Sequence, residues 1–386
     1  MKTKLIILLA SIIFSINQIN VEYCFGKSGK PVNLPDSLKS LESQLGNLVE
    51  QSFTEMQAPG AIIGVWMSGY EPWKKAIGVA NMTTNTPIRL DDKMRIGSVT
   101  KTFTGTVVLQ LVDEGRISLS DKLSKYFPNF PNGDNITIEE VGNMTSGIYN
   151  YSEDEAWSNS LLKDLNKSYT PMELIDVAES HDPYFAPGTG MHYSNTNFIL
   201  LGLIIEKLTG NSLQTEFQNR ILKPLGMNNT DFAVNSDFPD PHATGYMYMD
   251  STSTTPMDIT SMNPSWGWAA GSMISTLDDV SLYAKPLATG KLISASSQAD
   301  RLKWGKTFYP PSGSWAKKPL NYGFAIADFD GAIGHNGGIP GFNTFMGYIP
   351  EKDAVIIVLV NMQDNKNGMG PADYIAMKIV EKIKQM

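Results

Sequence analysis

Apolar positions along this chain fall into runs of two periods. Between Pro35 and Gln57, Leu38, Leu41, Leu45 and Leu48 recur every three or four residues, which predicts an amphipathic helix. Ala61 to Met67 (AIIGVWM) is a short apolar run bounded by glycines and predicts a buried strand, with a second strand at Lys75 to Ala80. Far downstream, Phe342 to Ile349 alternates loosely, Ala354 to Val360 (AVIIVLV) is apolar throughout, and Pro371 to Ile383 predicts a closing helix. One further run, Val99, Phe103, Val107, Val108, Leu111 and Val112, is apolar on most of a helical surface. It ends at Asp113-Glu114-Gly115, a glycine stop, and so predicts a helix buried at the centre of the protein.

Both ends of the chain therefore give helix and strand patterns, while residues from about 116 to 264 read as mostly helical or irregular. This order predicts an α/β lobe built from about 35–115 and 265–386, with a helical lobe inserted between the two parts. The polar stretch Asp250 to Ser265 and the Pro/Gly-rich stretch Gly305 to Asn321 read as surface loops. No internal repeat is visible. With 386 residues, 42% of them hydrophobic, the chain can bury a sizeable core in one large domain or two lobes.

The N-terminus reads as an address. Met1-Lys2-Thr3-Lys4 supplies positive charge, and the apolar run from Leu5 to Ile16 is too short to span a bilayer, which takes about twenty residues. Charge followed by a short apolar run is the order of an export signal, with cleavage expected after Gly26 and a mature chain of 27–386. The expected location is secreted or periplasmic, with no membrane span left after cleavage. Cys24, the only cysteine, would then be lost, and disulfides, thiol catalysis and cysteine metal sites with it. A net charge of −8 without a basic cluster argues against a nucleic-acid partner.

The pattern S-x-x-K, a nucleophile three residues before a base, occurs three times: Ser98 with Lys101, Ser160 with Lys163, and Ser314 with Lys317. The bare pattern cannot choose among them. Context favours Ser98, which follows Gly97 and opens the buried helix, whereas the other two lie in polar, loop-like surroundings. Residues i and i+3 share a helix face, so the Lys101 amine can reach the Ser98 hydroxyl. Burial and the positive end of a helix both disfavour charged lysine. A downward shift of about three pKa units, roughly 4 kcal/mol, would make it a base at neutral pH.

Two more groupings follow. Tyr193-Ser194-Asn195 opens the apolar helix FILLGLIIEKLTG after the turn Ala186-Pro187-Gly188. Such a sequence reads as a helix cap, or as a proton donor and an amide that orients a substrate. His335-Asn336-Gly337-Gly338 precedes a strand, and its glycines would let a substrate approach the backbone. No G-x-S-x-G elbow, H-E-x-x-H zinc motif or nucleotide-binding loop is present, and the four histidines are dispersed. No metal or cofactor is expected.

In this order and spacing, the three groupings resemble the serine β-lactamase and penicillin-binding protein superfamily. The branch with class C β-lactamases and D-alanyl-D-alanine carboxypeptidases is the most similar. GSVTKTFTGTVVLQLVDEG and YSNTNFILLGLIIEKLTG carry the resemblance, supported by ITIEEVGNMTSGIYNY and GHNGGIPGF, and it covers nearly the whole mature chain. Lys27-Ser28-Gly29 imitates the third box, but it precedes the serine and is a decoy.

The resemblance implies an α+β fold, an antiparallel sheet flanked by N- and C-terminal helices, with the helical lobe inserted. It implies that Ser98 attacks the substrate carbonyl while Lys101 takes its proton. Tyr193 would pass the proton to the leaving group, and Asn195 would position Lys101 and the substrate amide. His335 stands where many relatives have lysine, and the backbone N–H groups of Ser98 and Gly338 would form the oxyanion hole. Asn336 and Gly337 would line the substrate edge. Trp266 reads equally as a wall of the acyl pocket and as a core tryptophan. The expected enzyme is a monomeric serine hydrolase acting on D-amino-acid peptides, amides or esters, either carboxypeptidase-like or a D-stereospecific peptidase. A β-lactamase or esterase and a non-catalytic penicillin-binding sensor are the alternatives. Carboxypeptidase relatives often place a basic residue after the Y-G-x-x-x strand; here Tyr322-Gly323-Phe324-Ala325-Ile326 is followed by Ala327 and Asp328.

Overall fold

In the computed structural model, which describes residues 36–386 apart from 251, 306, 309–319 and 366, the apolar runs from the two ends of the chain meet in one antiparallel sheet. Among the described residues the strands lie in the order 86–87, 73–81, 60–67, 354–360, 342–349, 332–339, 327–329, 320–322 and 307–308. The N-terminal strand Gly60–Met67 pairs with Ala354–Val360, Ala61 opposite Val360 and Met67 opposite Ala354. All seven residues of Ala354–Val360 are buried. The helices Leu277–Thr289 and Pro371–Lys384 pack against this part of the sheet. A strand with no exposed face has no use for alternation, and each large aliphatic side chain it buries stabilises the fold by about 1.5–3 kcal/mol.

The expected flanking helices form at Asp36–Met56 and Pro371–Lys384. In the first, Leu45, Val49, Ser52 and Met56 are buried at helical spacing, so the inward stripe is rotated from the leucine stripe and Leu48 is only half-buried. In the second, Ile375, Ile379, Val380 and Ile383 face inward. The central helix, Thr100–Asp113, is buried at every position from Thr100 to Leu109 and again at Leu111. Gly115 stops it with φ +70, a left-handed conformation that costs glycine little.

The intervening region is mostly helical, with helices at Ile138–Gly142, Glu155–Lys163, Pro171–Glu179, Asn195–Thr209 and Leu213–Phe217. Thr137 with Glu140 and Thr170 with Glu173 form reciprocal capping boxes at two of their starts. Residues Gln44–Met386 form one compact unit.

Three expectations need correction. Ser160 and Lys163 lie on the helix Glu155–Lys163, which Asp154 caps, and not in a loop; Lys163 is solvent-exposed. The stretch Asp250 to Ser265 contains the strand Met257–Asp258, paired with Tyr246–Met247, and the start of a 3-10 turn at Pro264–Trp266. The ends of Gly305 to Asn321 are the sheet strands at 307–308 and 320–322. Strands of two or three residues are too short to show a period, and only their partners define them. The export signal at 1–26, Cys24, the decoy Lys27-Ser28-Gly29 and the pair Ser314 and Lys317 lie outside the described residues. Among the described residues no helix is long and apolar enough to cross a membrane, and no cluster of His, Cys, Asp or Glu is placed to hold a metal ion.

Candidate active site

Ser98 sits in a single 3-10 turn, Gly97–Val99, that feeds directly into the central helix. Gly97 makes the entry possible with φ +49. One turn on, the Lys101 amine lies 2.9 Å from Ser98 Oγ and donates to the Ala270 carbonyl at 2.8 Å. Lys101 is fully buried, and burial holds its pKa well below the ordinary lysine value. Its Nζ stands 4.8 Å from the centre of the Tyr193 ring and 5.7 Å from that of Phe198. A buried amine with a lowered pKa, in hydrogen-bond contact with a half-buried serine, has the geometry of a base beside its nucleophile.

Tyr193 comes from the helical region, just before the helix Asn195–Thr209. Burial lifts its phenol pKa, and a hydrogen bond with Ser98 partly offsets that effect. The start of this helix is strapped to the segment 149–152. Asn195 N–H donates to Asn150 Oδ1 at 3.0 Å, and Thr196 Oγ1 donates to the Tyr149 carbonyl at 2.7 Å. The Asn195 amide donates to Ser152 Oγ at 2.9 Å. Lys101 takes its hydrogen-bond partners from Ser98 and Ala270, and Asn195, paired with Ser152, lines the cleft beside Ser98.

His335 is 2% exposed on the strand Ala332–Ile339. Its Nδ1 hydrogen-bonds with its neighbour's carbonyl, Asn336 O, and its Nε2 lies 3.0 Å from the Tyr322 hydroxyl. Burial above all, and then the neighbouring Lys101, lowers its pKa to about 3 against the opposing hydrogen bond to Asn336. The ring is therefore neutral at physiological pH, with Nδ1–H donating and Nε2 accepting from Tyr322. Tyr322 and Tyr193 meet edge to face, with ring centres 6.2 Å apart. Sequence reading noted Tyr322 only as part of a strand pattern. Its role as the partner of His335 depends on a contact between strands that no local motif encodes.

Alternation along the strand sorts the remaining residues. His335 lies opposite Met346, Asn336 opposite Phe345 and Gly338 opposite Asn343. Successive side chains point to opposite faces, so Asn336 faces away from His335. Its amide lies on the side of Asp373, on the C-terminal helix, and favours the ionised form of that carboxyl. Any part Asn336 plays at the substrate edge would therefore fall to its backbone. Gly337 shares the His335 face and packs on the Ser98 turn: a Cβ there would lie 2.1 Å from the Ile96 carbonyl oxygen and 3.0 Å from Ser98 N. A Cβ on Gly97 would lie 3.0 Å from Gly338 N. The Ser98 turn and the Gly337–Gly338 backbone are thus in direct contact.

Ser98 and Gly338 open into a cleft of about 210 Å³. Tyr151, Trp157, Trp266 and Asn195 form part of its wall. Trp157 packs on Trp266 at a steep angle, ring centres 5.7 Å apart, and the Tyr151 hydroxyl donates to the Trp266 carbonyl at 2.5 Å. No lysine or arginine is among the described residues that line this cleft. Trp157 escaped sequence reading because one tryptophan on an amphipathic helix looks like any other core residue.

The fold is that of the serine β-lactamases and penicillin-binding proteins. The chain belongs to the beta-lactamase family, whose sequence profile matches residues 45–379. Among curated proteins, the putative penicillin-binding protein PbpX of Bacillus subtilis (strain 168) is 29% identical over 270 residues, covering 70% of this chain and 62% of that protein. Protein flp of Staphylococcus aureus (strain MRSA252) is 28% identical over 331 residues, covering 83% and 63%. The chain thus spans less than two thirds of the length of these curated relatives.

Among solved structures, a D-stereospecific amidohydrolase from Streptomyces sp. superposes with a TM-score of 0.73 at 31% identity, covering 82% of this chain and 94% of that one. The D-amino acid amidase from Ochrobactrum anthropi SV3, complexed with D-phenylalanine, gives 0.80 at 24% identity over 90% and 99%, a likeness of fold.

Proposed function

We propose that this protein is an exported serine hydrolase that cleaves D-amino-acid amides or short D-peptides through an acyl-enzyme on Ser98. The observation that carries the reading is the buried Lys101 amine 2.9 Å from Ser98 Oγ, beside a cleft with aromatic walls. As Ser98 Oγ bonds to the carbonyl carbon, its proton passes to neutral Lys101. The oxyanion is held by Ser98 N–H and Gly338 N–H. The C–N bond then breaks as the proton travels through Tyr193 to the leaving nitrogen. Water adds to the ester, releasing the acid and returning the proton to Ser98.

Neutral His335 and the absence of a lysine or arginine along the described cleft favour substrates without a free terminal carboxylate. This argues for amidase or endopeptidase activity over strict carboxypeptidase activity. The Streptomyces neighbour, a D-stereospecific amidohydrolase, supports the same reading. The charged start and short apolar run at residues 1–16, which read as an export signal, support action outside the cytoplasm.

The test is intact-mass and peptide mass spectrometry after treatment with a phosphonate ester or a labelled penicillin, followed by turnover on D-amino acid amides, D-Ala-D-Ala peptides, short esters and a chromogenic cephalosporin. Label on the peptide holding Ser98 and turnover of D-amides are expected. Label elsewhere, or a penicillin adduct that persists for hours with no turnover of any substrate, would overturn the reading in favour of another nucleophile or a sensor.

A further inference from the structure

Behind the glycine-rich strand, on the face away from Ser98, lies a buried polar network that no step of the proposed reaction uses. Asn343 stands opposite Gly338 on the neighbouring strand and is 3% exposed. Its Oδ1 accepts from the first amides of the C-terminal helix, Ala372 N at 2.7 Å and Asp373 N at 3.3 Å. Its Nδ2 donates to Asp373 Oδ2 at 3.2 Å and to the Gly337 carbonyl at 3.1 Å. Both ends of the amide are committed, which fixes which atom is oxygen and which is nitrogen.

The Gly337 carbonyl and the Gly338 N–H belong to one peptide unit. In a trans peptide they point in opposite directions, so fixing the carbonyl fixes the N–H. Glycine on both sides leaves this peptide with the softest torsions in the strand. On the other edge, Gly338 N lies beside the Ser98 turn. We propose that Asn343, held by Asp373 and the start of the C-terminal helix, is a positioning residue that locks the Gly337–Gly338 peptide so that its N–H stays aimed at the developing oxyanion. The hydrogen bond to the carbonyl also polarises the same peptide and strengthens its N–H as a donor. Three segments distant in sequence thereby converge on one donor. This inference rests on the acyl-enzyme reading above.

The experiment compares the parent with Asn343→Leu, Asp373→Leu and Asp373→Asn. Second-order inactivation by the phosphonate ester, a tetrahedral mimic, is measured alongside kcat and KM for a D-amino acid amide. Asn343→Leu is expected to slow inactivation and lower kcat by the same factor, on the order of 10- to 100-fold, with KM within about threefold, because only the tetrahedral species uses the hole. Asp373→Asn, which keeps an acceptor for Asn343, should lose less than Asp373→Leu. The Asp373 pair carries the test if Asn343→Leu fails to fold. A folded Asn343→Leu variant that inactivates as fast as the parent would overturn the inference, as would a loss confined to KM or equal losses in the two Asp373 variants. If the parent itself takes no label on Ser98, the reading of the reaction falls and this inference with it.

Discussion

Gly337 and Ile96 meet backbone to backbone: a Cβ on Gly337 would stand 2.1 Å from the Ile96 carbonyl oxygen. This contact seats the glycine-rich strand on the turn that holds Ser98. Next along the strand, a Cβ on Gly338 would meet nothing within 4 Å. Gly337→Ala must push strand and turn apart, while Gly338→Ala has room. Thermal melts should show Gly337→Ala destabilised by about 1–3 kcal/mol, the usual cost of overpacking. Gly338→Ala should melt close to the parent.

The proposed reaction uses Lys101 as the neutral amine, and burial lowers its pKa. The rate constant kcat/KM should therefore rise as pH increases through that depressed pKa and level off well below the ordinary lysine value. Lys101→Arg cannot lose its proton and should lower kcat/KM by about 10²–10⁴-fold and abolish this limb. His335, held at about 3, contributes no limb near its ordinary value. A pH–rate profile from 4 to 10 decides both points.

Trp266 forms part of the cleft wall against Trp157. Trp266→Ala should cost about 10- to 100-fold in kcat/KM for D-phenylalanine amide, the value of a lost apolar contact of roughly 1.5–3 kcal/mol. D-alanine amide, with a side chain too short to use the wall, should lose several-fold less. The ratio of the two substrates measures the effect without reference to folding yield.

Burial raises the Asp373 carboxyl to about 7, against hydrogen bonds from Asn343 and Asn336 and with Asp364 adding to the rise. A folded pKa above the unfolded value means that the native state binds more protons between about pH 4 and 7. The stability contributed by this group is therefore present at low pH and is lost as pH rises through 7. The shift from 3.8 corresponds to an effect on the order of 4 kcal/mol. Denaturant melts should show Asp373→Asn gaining on the parent between pH 5 and pH 8. A constant difference across that range would show that Asp373 titrates normally.

Much of this was legible in the sequence because period and order are local properties. The sheet strands at 60–67 and 354–360 and the central helix were readable because each buries most of its surface, and burial leaves an apolar run. The small strands at 246–247 and 257–258 were not, since two residues carry no period. Ser98 was distinguishable from Ser160 by the helix it opens, although Ser160 also proved to be helical.

Asn336 marks the boundary. In the sequence it is the middle of the third box, and only the strand's alternation and the position of the C-terminal helix show that its amide turns toward Asp373. The sequence alone singled out the Ser98 and Lys101 pair and the order of the boxes, because spacing along a helix is set by covalent geometry. Tertiary structure decided the neutral state of His335, the Tyr322 contact, the aromatic cleft and the Asn343 brace behind Gly337. Each of these depends on which groups lose water together, and desolvation is a property of the packed fold rather than of any segment.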